Sequence, residues 1–70
     1  MLYKRIKSLR EDSDLSQRKI AEILHMHKTT YTRYENGERE IPFNIVILLA
    51  KHYNVSIDYI AGFSNDTRVK

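Results

Sequence analysis

The sequence predicts an all-α fold, a compact set of five short helices around one small core. Three observations point there. Apolar residues recur at helical spacing, as in Leu2, Ile6 and Leu9. Between such stretches stand capping and turn residues: Asp12-Ser13-Asp14, Ser16, Asn36-Gly37, Pro42, Asn54, Ser56 and Gly62. No segment alternates apolar and polar residues as a half-buried strand would.

The elements follow in order. Leu2, Ile6 and Leu9 give the first helix an inner stripe, with Lys4, Arg5 and Lys7 turned to solvent. Asp12-Ser13-Asp14 ends it. Ser16 is an N-cap for the second helix, since its hydroxyl can accept from free N–H groups of the first turn. Ile20, Ala21, Ile23 and Leu24 are the apolar residues of that helix, which runs to about Leu24. His25-Met26-His27 makes a turn, and a third helix spans about 28–36, stopped by Gly37 in a left-handed conformation. Residues 38–41 form a polar loop. Pro42 opens the fourth helix, where its missing N–H is not needed, and Ile45, Val46, Leu48, Leu49 and Tyr53 face inward. Asn54 breaks this helix. Ser56 caps a fifth, from Ile57 to about Ala61, with Asp58 favourable in its first turn and Gly62 at its end.

Seventy residues make one domain, 1–70, with an ordered core at about 2–63 and a frayed tail over 64–70. The chain has no cysteine, which excludes disulfides and thiolate metal sites. Its start is too charged for a signal sequence, and no apolar run approaches a membrane span. A soluble cytoplasmic protein with no membrane partner is expected. The net charge is +3, and its distribution is uneven. Through Gly37 there are eight Lys and Arg residues against five acids, whereas from Glu38 onward four bases offset four acids. All net positive charge lies in the half that holds the second and third helices.

The third helix divides its residues by face. Lys28, Thr29, Thr32 and Arg33 span roughly 140° of arc, with Tyr31 and Tyr34 on the other side. A short helix with one packed face and one face of hydrogen-bonding side chains is shaped to enter a groove.

From about Leu2 to Phe63 the chain resembles the lambda-repressor-like (XRE-type) family of helix-turn-helix DNA-binding domains. The resemblance rests on Leu15-Ser16-Gln17, Ile20-Ala21, the run Thr30-Tyr31-Thr32-Arg33-Tyr34-Glu35-Asn36-Gly37, then Pro42 and Val55-Ser56-Ile57-Asp58-Tyr59-Ile60. Each piece is weak alone; their order across some sixty residues is specific. The resemblance implies that the third helix lies in the major groove of double-stranded DNA. Lys28, Thr29, Thr32 and Arg33 then read bases, Arg33 by gripping guanine O6 and N7 with two donors. By the same resemblance Gln17, Asn36 and the backbone near Phe43 and Asn44 touch phosphates; His27, where the family usually has a Ser, Thr or Asn cap, and Arg39 are this chain's own further candidates for phosphate contact. Arg10 and Glu35 match the family's ion pair between the first helix and the Glu-Asn-Gly turn. Independently, Ala21 suits a close helix crossing, and Tyr31 and Tyr34 should anchor the third helix by their rings, with hydroxyls at the rim.

One departure concerns the loop after Asn36-Gly37, which is basic in some phage repressors. Here it reads Glu38-Arg39-Glu40-Ile41, and its acids would repel phosphate.

The expected function is that of a transcriptional regulator, a repressor occupying a two-fold operator as a homodimer through Ile57, Tyr59, Ile60 and Phe63. Two rivals remain: a protein-interaction module, and the antitoxin of a toxin pair with DNA binding secondary. No catalytic constellation, cofactor or small-molecule substrate is expected. His25 and His27 lack the neighbouring acids or thiols a metal site needs.

Overall fold

The computed structural model describes residues 3–68 and contains five α-helices over that span. They are α1 (Lys4–Asp12), α2 (Gln17–Ile23), α3 (Lys28–Glu35), α4 (Phe43–Tyr53) and α5 (Ile57–Ala61). Two serines start helices as capping chemistry requires. Ser16 Oγ accepts from the Lys19 N–H at 3.0 Å, and Ser56 Oγ from the Tyr59 N–H at 3.0 Å. Pro42 sits at the N-cap of α4.

All five helices stop in the same way. A residue with left-handed φ follows each one: Asp14, His25, Gly37, Asn54 and Gly62. The N–H after it then bonds back five residues, as in Leu15 to the Arg10 carbonyl, Met26 to Ala21, Glu38 to Arg33, Val55 to Ala50 and Phe63 to Asp58. This is the Schellman closure, which satisfies carbonyls that the helix end leaves orphaned. Only two of the five stops are glycine. Asp, Asn and His tolerate the conformation better than other side chains, which lets the chain turn sharply at Asp14, His25 and Asn54.

Helix α2 packs on α3, α1 packs on both α3 and α5, and α4 packs on α5. The core between them holds Ile6, Ile20, Ala21, Leu24, Tyr31, Tyr34, Ile41, Val46, Leu49, Ala50, Val55 and Ile60. Fully burying side chains such as Ile6, Ile20 and Leu49 stabilises by about 1.5–3 kcal/mol each. Ala21 is buried in α2, the helix that packs on α3.

Several expectations need correction. Leu2, and Val69 and Lys70 of the expected tail, lie outside the described residues. Ile23 is at the surface, and Leu48 is 44% exposed. The inner stripe of α4 is Val46, Leu49, Ala50 and the half-buried Tyr53, spaced i, i+3, i+4 and i+7, which leaves Leu48 off the face. Arg5 is not part of a solvated face. Its guanidinium lies 4.3 Å from the Tyr59 ring centroid and donates to the carbonyls of Tyr59 and Ser64 and to Asn65 Oδ1. Through Asp66 and Thr67 the segment after α5 is docked rather than frayed. The Ser56 N–H donates to the Thr67 carbonyl and the Ser56 hydroxyl to the Asp66 carbonyl. The Ser56 cap and the α1 cation thus hold a segment that composition alone marks as loose.

Candidate nucleic-acid interface

The local sequence decides which face of α3 turns in. Tyr31 is completely buried and Tyr34 nearly so, and these rings fix the helix against the core. Lys28, Thr29 and Arg33 consequently face solvent, and Thr32 is half-buried at the edge of the packed face. The Tyr31 hydroxyl is interior, not at the rim as the ring pattern suggested. No partner meets hydrogen-bond geometry for it, although it lies near enough to Glu35 for each to affect the other's titration. Burial, then the Glu35 carboxylate, pushes its phenol upward. The Tyr53 hydroxyl is likewise buried without a partner, and burial pushes it up to about 12.

Beneath α3 runs a polar chain that joins three helices. Arg10 of α1 donates from Nε to Glu35 Oε2 at 2.7 Å and from Nη2 to Glu35 Oε1 at 3.1 Å. The side chains are 12% and 2% exposed, so this is a buried, two-pronged pair. The remaining arm of Arg10, Nη1, donates to the Leu15 carbonyl at 2.8 Å. Gln17, at the start of α2, donates from Nε2 to Glu35 Oε1 at 3.1 Å, and its Oε1 accepts from the Thr32 hydroxyl at 3.0 Å. Burial alone would raise the Glu35 pKa; the bonds from Arg10, the nearby Tyr31 hydroxyl and the bond from Gln17 outweigh it and hold the carboxyl below its ordinary value. The Arg10 pKa is raised by its bond to Glu35, against the effect of desolvation.

This wiring changes what two expected contacts can do. The Gln17 amide is directed into the protein at Glu35 and Thr32, instead of standing free at the helix start. The Thr32 proton is engaged by Gln17, so this residue is less free than Lys28, Thr29 and Arg33. Nothing in the sequence distinguished Thr32 from Thr29 in this respect; the signal is the tertiary placement of Gln17.

His27 occupies the N-cap of α3 with no side-chain cap bond, and it is exposed. Asn36, Arg39, Phe43 and Asn44 are also exposed, Phe43 at 66%. Among the described residues no group of three or more His, Cys, Asp or Glu side chains is placed to hold a metal. Nor is any helix there long and apolar enough to cross a membrane. An open groove of about 730 Å³ is lined in part by Ile47, Lys51, Ile57, Phe63 and Arg68. Phe63 is 77% exposed and Ile57 partly so, while Tyr59 is half-buried under Arg5. Ile60 is a core residue and has no surface to offer a partner, which corrects its place among the expected dimer contacts.

A family described as Helix-turn-helix matches residues 6–60. The uncharacterized HTH-type transcriptional regulator YobD of Bacillus subtilis (strain 168) is 33% identical over 66 residues, covering 94% of this chain and 59% of that protein. Antitoxin PezA of Streptococcus pneumoniae serotype 4 is 36% identical over 62 residues, covering 89% and 39% respectively. The cryptic phage CTXphi transcriptional repressor RstR of Vibrio cholerae is 37% identical over 57 residues, covering 81% and 51%. The chain therefore spans between 39% and 59% of the length of these three relatives.

Proposed function

The chain belongs to the lambda-repressor-like (XRE-type) helix-turn-helix family, and from that membership we propose that it is a sequence-specific, double-stranded DNA-binding transcriptional regulator that represses by occupying an operator. One observation carries this reading: α3 buries Tyr31 and Tyr34 and leaves Lys28, Thr29 and Arg33 together at the surface. Laid in the major groove, those side chains meet base edges, Arg33 as a two-pronged donor to guanine and Lys28 as a mobile cation. His27, Asn36, Arg39, Phe43 and Asn44 flank that helix in sequence and are exposed, consistent with contacts to the phosphate backbone. Gln17 reaches phosphate only if its amide leaves Glu35 or uses its second N–H.

A domain this small gains little from one half-site, so it acts as a homodimer on a two-fold site with half-sites about 34 Å apart. The surface available for self-contact is Ile57, Phe63 and the edge of Tyr59. Similarity to RstR, named a repressor, supports the direction of regulation. Similarity to PezA supports a second reading, in which an antitoxin uses the same fold and DNA binding accompanies capture of a toxin.

Selection of bound duplexes from a random library tests the first reading, since it reports preference, symmetry and spacing together. Arg33→Ala should abolish preference at one base pair, a loss of ~1–3 kcal/mol in discrimination, while salt-sensitive non-specific binding persists. Full selectivity in the variant would remove α3 from the role of reader. Sedimentation with operator present distinguishes the two-fold dimer from a monomer on a single half-site.

A further inference from the structure

The polar chain under α3 has a direction, and that direction limits what Thr32 can say to a base. Glu35 is a carboxylate and can only accept hydrogen bonds. It takes two from Arg10 and a third from Gln17. The Gln17 amide is therefore oriented without ambiguity: the NH2 end faces Glu35, and the carbonyl end faces Thr32. A carbonyl oxygen can only accept, so the single hydroxyl proton of Thr32 goes to Gln17 Oε1 at 3.0 Å. What Thr32 keeps for the outside is its free lone-pair capacity and its methyl. Thr29, exposed one turn earlier, is not tied into this chain of bonds and can act as donor or acceptor.

We infer that Thr32 reads the groove as an acceptor alone and so selects a base with an exocyclic amine, adenine N6 or cytosine N4, on the strand it faces. Guanine O6 and thymine O4 present acceptors at the same place and find no proton there. Gln17 and Glu35 act as positioning residues: they touch no base, and they set specificity by committing the Thr32 proton inward. This rests on the DNA-reading function proposed above.

The experiment uses the full chain with Thr32→Val, Gln17→Leu and, should the leucine variant fail to fold, Gln17→Ala. Library selection on wild type and Thr32→Val first identifies the base pair that Thr32 governs. At that position the amine-bearing base is then replaced by its analogue lacking only the exocyclic amine. Wild type should bind the analogue duplex about tenfold more weakly, the loss expected of one base-edge hydrogen bond. Thr32→Val should bind both duplexes alike. The Gln17 variant, with the Thr32 proton released, should gain tolerance at this base pair alone and accept the reversed pair. In the unbound protein the two Gln17 side-chain amide protons should differ in NMR, one of them protected from exchange.

Equal wild-type affinity for the analogue duplex, or a penalty that persists in Thr32→Val, overturns the inference. So does a Gln17 variant whose preference at that pair is unchanged, or a Gln17 amide whose two protons exchange freely. If wild type selects a sequence and Thr32→Val alters no position in it, Thr32 is no reader while the regulatory function stands. If wild type selects no sequence at all, that function falls and this inference with it.

Discussion

Removing one partner of the Arg10–Glu35 pair should come close to unfolding the protein. In Arg10→Met the Glu35 carboxylate loses two of its three hydrogen bonds and keeps only that from Gln17. It does so at 2% side-chain exposure, where water cannot replace what is lost. Leaving a buried charge unpaired in this way costs about 3 kcal/mol or more. A 70-residue domain has ~4–10 kcal/mol in total. With a urea dependence of about 1 kcal/mol per molar, the midpoint should fall by roughly 3 M. Glu35→Leu should cost a similar amount, because Arg10 retains only its bond to the Leu15 carbonyl. The double variant should be less damaged than the two single effects added together, by about 2 kcal/mol, since neither charge then stands alone. Urea titrations of the four proteins, followed by circular dichroism, give the cycle. Single variants that each lose under ~1 kcal/mol and add without coupling would mean that the pair behaves as a surface contact, and the buried chain under α3 would not be what seats the helix.

Other expectations concern separate parts of the molecule. Because the Glu35 carboxyl is held below its ordinary value, the pair's contribution is fully present above that value and is lost as pH falls through the folded-state pKa. Acid titration of wild type should therefore show a steeper loss of stability below about pH 4.5 than the Glu35→Leu variant shows. Arg5→Ala removes bonds to Tyr59, Ser64 and Asn65, so amide exchange by mass spectrometry should accelerate over residues 64–68. Exchange in α2 and α3 should stay as it was, and a global loss of protection would contradict a local clasp. His25 holds a left-handed φ of 56°, and glycine there relieves the side-chain strain at some entropic cost. His25→Gly should raise stability by about 0.5–1 kcal/mol in thermal unfolding.

The fold was readable because its punctuation is local. Ser16, Ser56, Pro42, Gly37 and Gly62 act through their own backbone neighbours, and they bracket the helices within a residue or two. Helical spacing likewise identified Ile6, Ile20, Val46 and Leu49 as inner residues. What could not be read depends on neighbours distant in sequence. Leu48 and Ile23 are as apolar as their buried neighbours, and only which stripe of α4 and α2 meets the core leaves them out. Arg5 reads as a surface cation until the segment 64–68 is brought against it across some sixty positions. At the candidate site, periodicity separated the exposed face of α3 from Tyr31 and Tyr34 but treated Thr29 and Thr32 alike. Their difference arises from Gln17, fifteen positions before Thr32, on another helix.

The arrangement of α3 also bears on how descendants of this protein can diverge. Lys28, Thr29 and Arg33 stand clear of the interior, so under the DNA-reading role proposed above, drift at those three codons can retarget the protein to a new control sequence at little risk to folding. Thr32 belongs to the same surface but is fastened through Gln17 to the interior charge pair. Under that same proposed role, a lineage that changes it alters recognition and architecture in one step, and compensating changes at Gln17 are the natural companions of such a step.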